Sequence, residues 1–146
     1  MGIAERFAET FNRQDVPGLL QLFTDQASYA DVFFGVHTGQ EHLKRMFERM
    51  FHEGRDYRWS MNTVVEDARH AAAEWTFGYV VSDAIPRSQG RPVRMAGMSM
   101  FDLEGGRIVR YREYTDMGVA LLQIGFAPEA LSHVLAKKLP KPAATS

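Results

Sequence analysis

The chain has no cysteine among its 146 residues, which excludes disulfides, thiolate catalysis and cysteine-ligated metals. It has no surplus of either charge: 17 Lys and Arg stand against 18 Asp and Glu, without the basic footprint that nucleic acid or an anionic membrane selects. Uncharged runs fall well short of the roughly 18 to 20 residues a membrane helix needs. The opening Met-Gly-Ile-Ala-Glu-Arg-Phe carries charges where an export signal would be apolar, and Arg6 stands where myristoylation wants Ser or Thr. These absences lead us to expect a cytoplasmic protein with no nucleic-acid and no membrane partner. The histidines form neither His-x-His nor His-Glu-x-x-His, so no metal is expected. Gly-x-Ser-x-Gly, a phosphate loop and a dinucleotide fingerprint are also missing, and the expected chemistry uses no cofactor.

What is present suffices for one domain, expected over residues 1–139, with a flexible tail at 140–146 that holds no core-forming residue. Ile3, Phe7 and Phe11, with Ala4 and Ala8 beside them, recur at helical spacing. Asp15-Val-Pro-Gly reads as an N-cap and first turn of a short second helix. Residues 27–33 alternate Tyr29, Asp31 and Phe33 against Ser28, Ala30 and Val32, as a short strand does. Thr38-Gly-Gln-Glu41 has the capping-box pattern, and Leu43, Met46, Phe47, Met50 and Phe51 behind it predict a helix over 39–52. Strand candidates at 57–66, 70–83, 93–103 and 107–115 are separated by turn-forming residues. Asp116 can cap a helix over 117–124 that Gly125 stops. Pro128 opens another, with Leu131, Val134, Leu135 and Leu139 on one side. The expected fold is α+β: a curved, mostly antiparallel sheet forming a cone-shaped α+β barrel, with three N-terminal helices packed on it and an added C-terminal helix. The mouth of the cone is the expected pocket.

Strand parity assigns residues to that pocket. The strand from His70 puts Ala71, Ala73, Trp75, Phe77, Tyr79 and Val81 on its inner face, and the strand from Tyr57 groups Trp59, Met61, Thr63 and Val65. The strand at 93–103 offers either Gly97, Ser99 and Phe101 or Met98 and Met100. Two carboxylates share a face with aromatic residues: Asp31 with Tyr29 and Phe33, and Glu113 with Val109 and Tyr111. A carboxyl group in apolar surroundings has a raised pKa and serves as an acid or base near neutrality, while a nearby phenol can donate to a developing oxyanion. Asp31, Glu113, Tyr29 and Tyr111 are therefore the candidate catalytic residues. Trp59, Trp75, Phe77 and Phe33 are candidate walls for a small-molecule substrate. Ser99, and His37 in its Gly-rich loop near the pocket mouth, complete the candidate binding residues.

The order of elements, with Phe-Asn-Arg-Gln-Asp15, Ala-Ser-Tyr-Ala-Asp31, Gly39-Gln-Glu-His-Leu, Glu-Gly-Gly-Arg-Ile108 and Tyr-Arg-Glu-Tyr-Thr-Asp116 leading into Leu-Leu-Gln-Ile-Gly125, resembles the SnoaL-like branch of the nuclear transport factor 2-like superfamily. The resemblance spans about residues 3–125. It implies a cone that elsewhere hosts isomerases, cyclases, dehydratases, hydrolases and pure binding modules. By this comparison Asp31 falls where ketosteroid isomerase carries its base, whereas Phe7 and Ser99 replace that enzyme's oxyanion donors. Against limonene epoxide hydrolase, Tyr29 and a final carboxylate, Glu113, are kept, while Trp75 and Phe77 occupy the positions of its Arg-Asp pair. Polyketide cyclases of the SnoaL type are the nearest match, and Asp116 is a further candidate by that comparison. The expected activity is cofactor-independent acid/base chemistry, of lyase, isomerase or cyclase type, on an apolar ring-containing molecule. The alternatives are a non-catalytic binding or assembly module and an epoxide-type hydrolase. The resemblance also implies a homodimer.

Overall fold

The computed structural model describes residues 1–143. Helix α1 (Ile3–Asn12) buries Ile3, Ala4, Phe7, Ala8 and Phe11 as one stripe, because residues three and four apart share a helix face. Asp15 caps α2 (Val16–Gln21), its Oδ1 accepting from the Gly18 amide at 3.0 Å. Strand β1 (Phe23–Asp31) pairs with β2 (Gly35–Thr38) and leads into α3 (Gln40–Glu53), which buries Leu43, Met46, Phe47 and Met50. Strands β3 (Gly54–Glu66), β4 (His70–Val81), β5 (Pro92–Glu104) and β6 (Arg107–Thr115) form an antiparallel meander, followed by α4 (Met117–Ile124) and α5 (Pro128–Ala136). Asp116 caps α4 by accepting from the Val119 amide. Gly125 ends the helix at φ 104°, a left-handed geometry that a side chain would resist.

The sheet order is β2-β1-β6-β5-β4-β3, and β1 runs parallel to β6. The sheet is therefore mixed and open, with β2 and β3 as edges, where a barrel was expected. Among the described residues there are five helices, two of them after the last strand, with α5 packed against α4. Helix α1 lies against β3 and β4, α3 against β1 and β3, and α4 against β5. Phe7 sits in the middle of the core, with its ring 5.0 Å from that of Trp59, 5.4 Å from Tyr111 and 5.7 Å from Phe101. Burying a side chain of this size contributes about 1.5–3 kcal/mol.

Several local expectations change. Thr38 does not cap α3: the N-cap position is Gly39 at φ 90°, and Gln40 reaches back to the carbonyls of Leu20, Phe23 and Thr24 at 3.1, 3.2 and 3.3 Å. The first strand begins at Phe23 and stops at Asp31, so Phe33 lies in the turn before β2, and β2 itself occupies what reads in sequence as a loop. In β3, Met61 pairs with Trp75 but Thr63 pairs with Glu74, so Asn62 is an extra residue that reverses the parity. Val64 therefore packs on the core, and Thr63 and Val65 are exposed. A second irregularity in β6 leaves Val109 between the paired Ile108 and Arg110, and Ile108 is the buried residue in line with Tyr111. In β5 the inward set is Gly97, Ser99 and Phe101, with Met98 outside. Leu139 lies beyond α5 and is exposed. Of the expected tail, residues 140–143 have no regular structure, and 144–146 lie outside the described residues.

Candidate functional site

The parallel pairing of β1 with β6 sets Tyr29 opposite Tyr111 and Ala30 opposite Arg112. One step further, Asp31 and Glu113 come side by side, since residues two apart share a strand face. Asp31 ends β1, and the chain turns over its carboxylate: Oδ2 accepts from the amides of Phe33 at 2.7 Å and Phe34 at 2.8 Å. Glu113 accepts from the Val32 amide through Oε2 at 3.2 Å and from the Tyr111 hydroxyl through Oε1 at 2.7 Å. The two carboxyl groups are close enough to perturb each other's ionisation. A hydrogen bond between them needs a proton on one, because two carboxylates offer only acceptors.

The proton has a preferred owner. Burial raises the pKa of both groups. The amides of Phe34 and Phe33, the hydrogen bond from Glu113 and the nearby His37 oppose the rise at Asp31. The negative charge of Asp31 pushes Glu113 higher still, well above the ordinary carboxylate range. Glu113 is thus the stronger proton holder of the pair, and Asp31 the more readily ionised.

Behind Glu113 runs a chain of donors with one possible direction. The indole N–H of Trp75 can only donate, and it gives to Ser99 Oγ at 2.8 Å. The single proton of Tyr111 goes to Glu113, so at the 2.7 Å contact between Ser99 and Tyr111 the serine is the donor. Burial holds Tyr111 well above the usual phenol range, which keeps it neutral. Tyr29 stacks on Tyr111 with ring centroids 4.2 Å apart, and burial also raises its pKa. Among the described residues the Tyr29 hydroxyl has no partner in hydrogen-bond geometry, the Tyr111 phenol standing just outside it.

These groups border a cavity of about 410 Å³. Of the candidate residues, Asp31, Glu113, Tyr29, Phe33, Trp59, Trp75 and Phe77 line it. Tyr111 and Ser99 stand behind the wall and reach it through Glu113 and Trp75. His37 lies on β2, outside the lining but near Asp31. Trp59 is held at both backbone atoms by Asn12: its amide donates to Asn12 Oδ1 at 2.7 Å, and its carbonyl accepts from Asn12 Nδ2 at 3.0 Å. Asp116 is occupied as the cap of α4.

The lining also includes residues outside the candidate set, among them Tyr79, which strand parity already put on the inner face. Tyr57 and Tyr79 stack at 5.3 Å with nearly parallel rings; burial raises the pKa of Tyr57, and that of Tyr79 to about 12. Arg49 and Glu53 form an ion pair at 2.9 Å where the cavity opens, and the Arg49 guanidinium lies 4.8 Å from the centroid of Phe34. The helical stripe carried a signal for this pair: Arg49 follows Met46 by three residues, and Glu53 follows Met50 by three. Leu121, Ile124 and Phe126 close the far side. Chemically, the site is an aromatic chamber with two carboxyl groups side by side, Glu113 holding its proton more tightly than Asp31.

A family model described as a SnoaL-like domain matches residues 4–111. No curated protein matches significantly. Among solved structures, a protein of ketosteroid isomerase-like fold from Catenulispora acidiphila, in complex with trimethylamine, superposes with a TM-score of 0.75 at 18% identity, covering 87% of this chain and 95% of that one. A candidate polyketide cyclase from Xanthomonas campestris gives 0.70 at 19% identity over 84% and 94% of the two chains. An LEH-like epoxide hydrolase from M. tuberculosis gives 0.69 at 16% identity over 92% and 93%. At these identities the likeness is one of fold. No helix among the described residues is long and apolar enough to cross a membrane.

Proposed function

The chain belongs to the SnoaL-like domain family, and from that premise we propose that it is a cofactor-independent acid/base enzyme, of lyase, isomerase or cyclase type, acting on an apolar ring-containing molecule. The observation that carries this reading is the buried pair of carboxyl groups, Asp31 and Glu113, side by side in an aromatic cavity. Ionised Asp31 removes a proton from carbon next to a carbonyl, and the C–H electron pair becomes the C=C bond of an enol. Neutral Glu113 gives its proton to the carbonyl oxygen, or to a leaving hydroxyl. Afterwards Asp31 carries the proton and Glu113 the charge, and transfer across their hydrogen bond restores the starting state. Tyr111 stabilises the charge on Glu113 during that interval, with Ser99 and Trp75 polarising it from behind. Rings of Phe33, Trp59, Trp75 and Phe77 hold the substrate. Epoxide hydrolysis is less well supported, since aromatic Trp75 and Phe77 stand where the resemblance puts the Arg-Asp pair. We further propose a homodimer formed through the outer face of the sheet.

Incubation with 2-tetralone or 1-indanone in D2O tests the chemistry. Protein-dependent exchange at the carbon beside the carbonyl should fall by roughly 10²-fold or more in Asp31→Asn and in Glu113→Gln. Absence of exchange above the buffer rate with either ketone counts against the reading.

A further inference from the structure

The charges and rings around the cavity also bear on what it binds. Aromatic rings come from several elements, including Phe77 and Tyr79 of β4, Phe33 and Phe34 of the turn after β1, and Phe126 beyond α4. The face of such a ring is the negative side of its quadrupole. Among the lining residues, Asp31, Glu113 and Glu53 are acidic, and Arg49 is the single base. Arg49 is engaged with Glu53 at the opening and does not reach into the chamber as a free cation. His37 is near Asp31 but stands outside the lining. The inner chamber thus holds the Asp31–Glu113 carboxyl pair among aromatic rings, with backbone amides as the donors to Asp31. A neutral ligand would leave a carboxylate there without a cation beside it, which an apolar wall disfavours. An anionic ligand would add repulsion.

We infer that the ligand carries a cationic nitrogen, as a tertiary or quaternary ammonium or an iminium, on an apolar ring-bearing body, with the nitrogen seated among the Phe77 and Tyr79 rings against Asp31. The inference rests on the reading of this cavity as the substrate site. The protein already makes the same contact at its opening, where the Arg49 guanidinium covers Phe34. Away from bulk water, cation–π attraction is stronger than at an exposed rim. A cationic nitrogen also acidifies the neighbouring C–H, which suits a carboxylate base.

Phenyltrimethylammonium and tert-butylbenzene, alike in shape and different in charge, provide the test by equilibrium titration. The wild type is expected to bind the cation at least as tightly as the hydrocarbon, despite the cation's stronger hydration. Asp31→Asn should weaken the cation by about tenfold or more, a loss of about 1.4 kcal/mol, and leave the hydrocarbon unchanged. Phe77→Leu, which keeps apolar bulk and removes a ring face, should weaken the cation about threefold or more with little effect on the hydrocarbon. The second variant decides the matter if the first does not fold. A wild type that prefers the hydrocarbon, or variants that shift both ligands equally, overturns the inference. Neither probe has a proton to exchange, so selective cation binding without ketone exchange refutes the catalytic reading alone. Ketone exchange in a protein that prefers tert-butylbenzene refutes this inference alone.

Discussion

Glu113 is where burial, charge and hydrogen bonding meet, and its titration can be read in stability. Its native pKa is raised above the ordinary carboxylate value because burial and Asp31 disfavour its charge. The folded state therefore binds its proton more tightly than the unfolded state does. The favourable contribution of Glu113 is fully present below the unfolded pKa and is lost as pH rises through the native one. Gln is a neutral isostere that can still accept from Tyr111 and donate to Asp31. Glu113→Gln should thus melt close to wild type at acid pH and increasingly above it as pH rises, while losing activity; a gap in melting temperature that stays constant with pH would remove the argument. The pair itself was legible in the sequence, because a carboxylate in an alternating aromatic strand stands out. Its partnership was not, since only the parallel register of β1 with β6 brings residue 31 beside residue 113. The donor chain through Ser99 was hidden for a related reason: two inward sets were open for β5 until its pairing fixed one.

At the scale of elements, what could be read was what neighbouring residues decide. The stripe of α1, the Asp15 and Asp116 caps and the Gly-Gly turn before β6 are local, and they appear where sequence puts them. Strand β2 has only four residues, opens on Gly35 and is followed by Gly39, both of positive φ, and its strand character comes from pairing with β1. The extra residue at Asn62 has no signature of its own, yet it turns Val65 outward. Gly97 shows how closely the sheet and the cavity wall are fitted. A Cβ there would stand 2.5 Å from the Tyr114 carbonyl oxygen and 2.8 Å from the Trp75 ring. The first is backbone and the second is held through its hydrogen bond to Ser99. Gly97→Ala should therefore cost about 1–3 kcal/mol of stability, as overpacking does, and disturb the Trp75 fluorescence. A variant that melts with the wild type and leaves the indole environment unchanged would show that the contact is easily relieved.

For the whole molecule, the face of the sheet opposite the cavity remains to be explained. Met98 of β5 and Tyr114 of β6 are direct cross-strand partners, and they are 51% and 67% exposed. Val119 and Leu122 of α4, which packs against β5, are 47% and 57% exposed. Single exposed apolar residues are ordinary, but the paired Met98 and Tyr114, with exposed apolar residues on the helix beside them, give this side an apolar surface that water disfavours. The sequence could not reveal it, because Met98 reads as core until the inward set of β5 is known. A second copy of the same face would cover the patch through a two-fold axis, the commonest arrangement for a homo-oligomer. Sedimentation at micromolar concentration should therefore give a dimer, and Met98→Glu with Tyr114→Glu should give a monomer. Both side chains point away from the cavity, so the monomer should still bind phenyltrimethylammonium. A monomeric wild type would refute the dimer. Loss of binding together with dissociation would mean instead that the cavity depends on the partner for its shape.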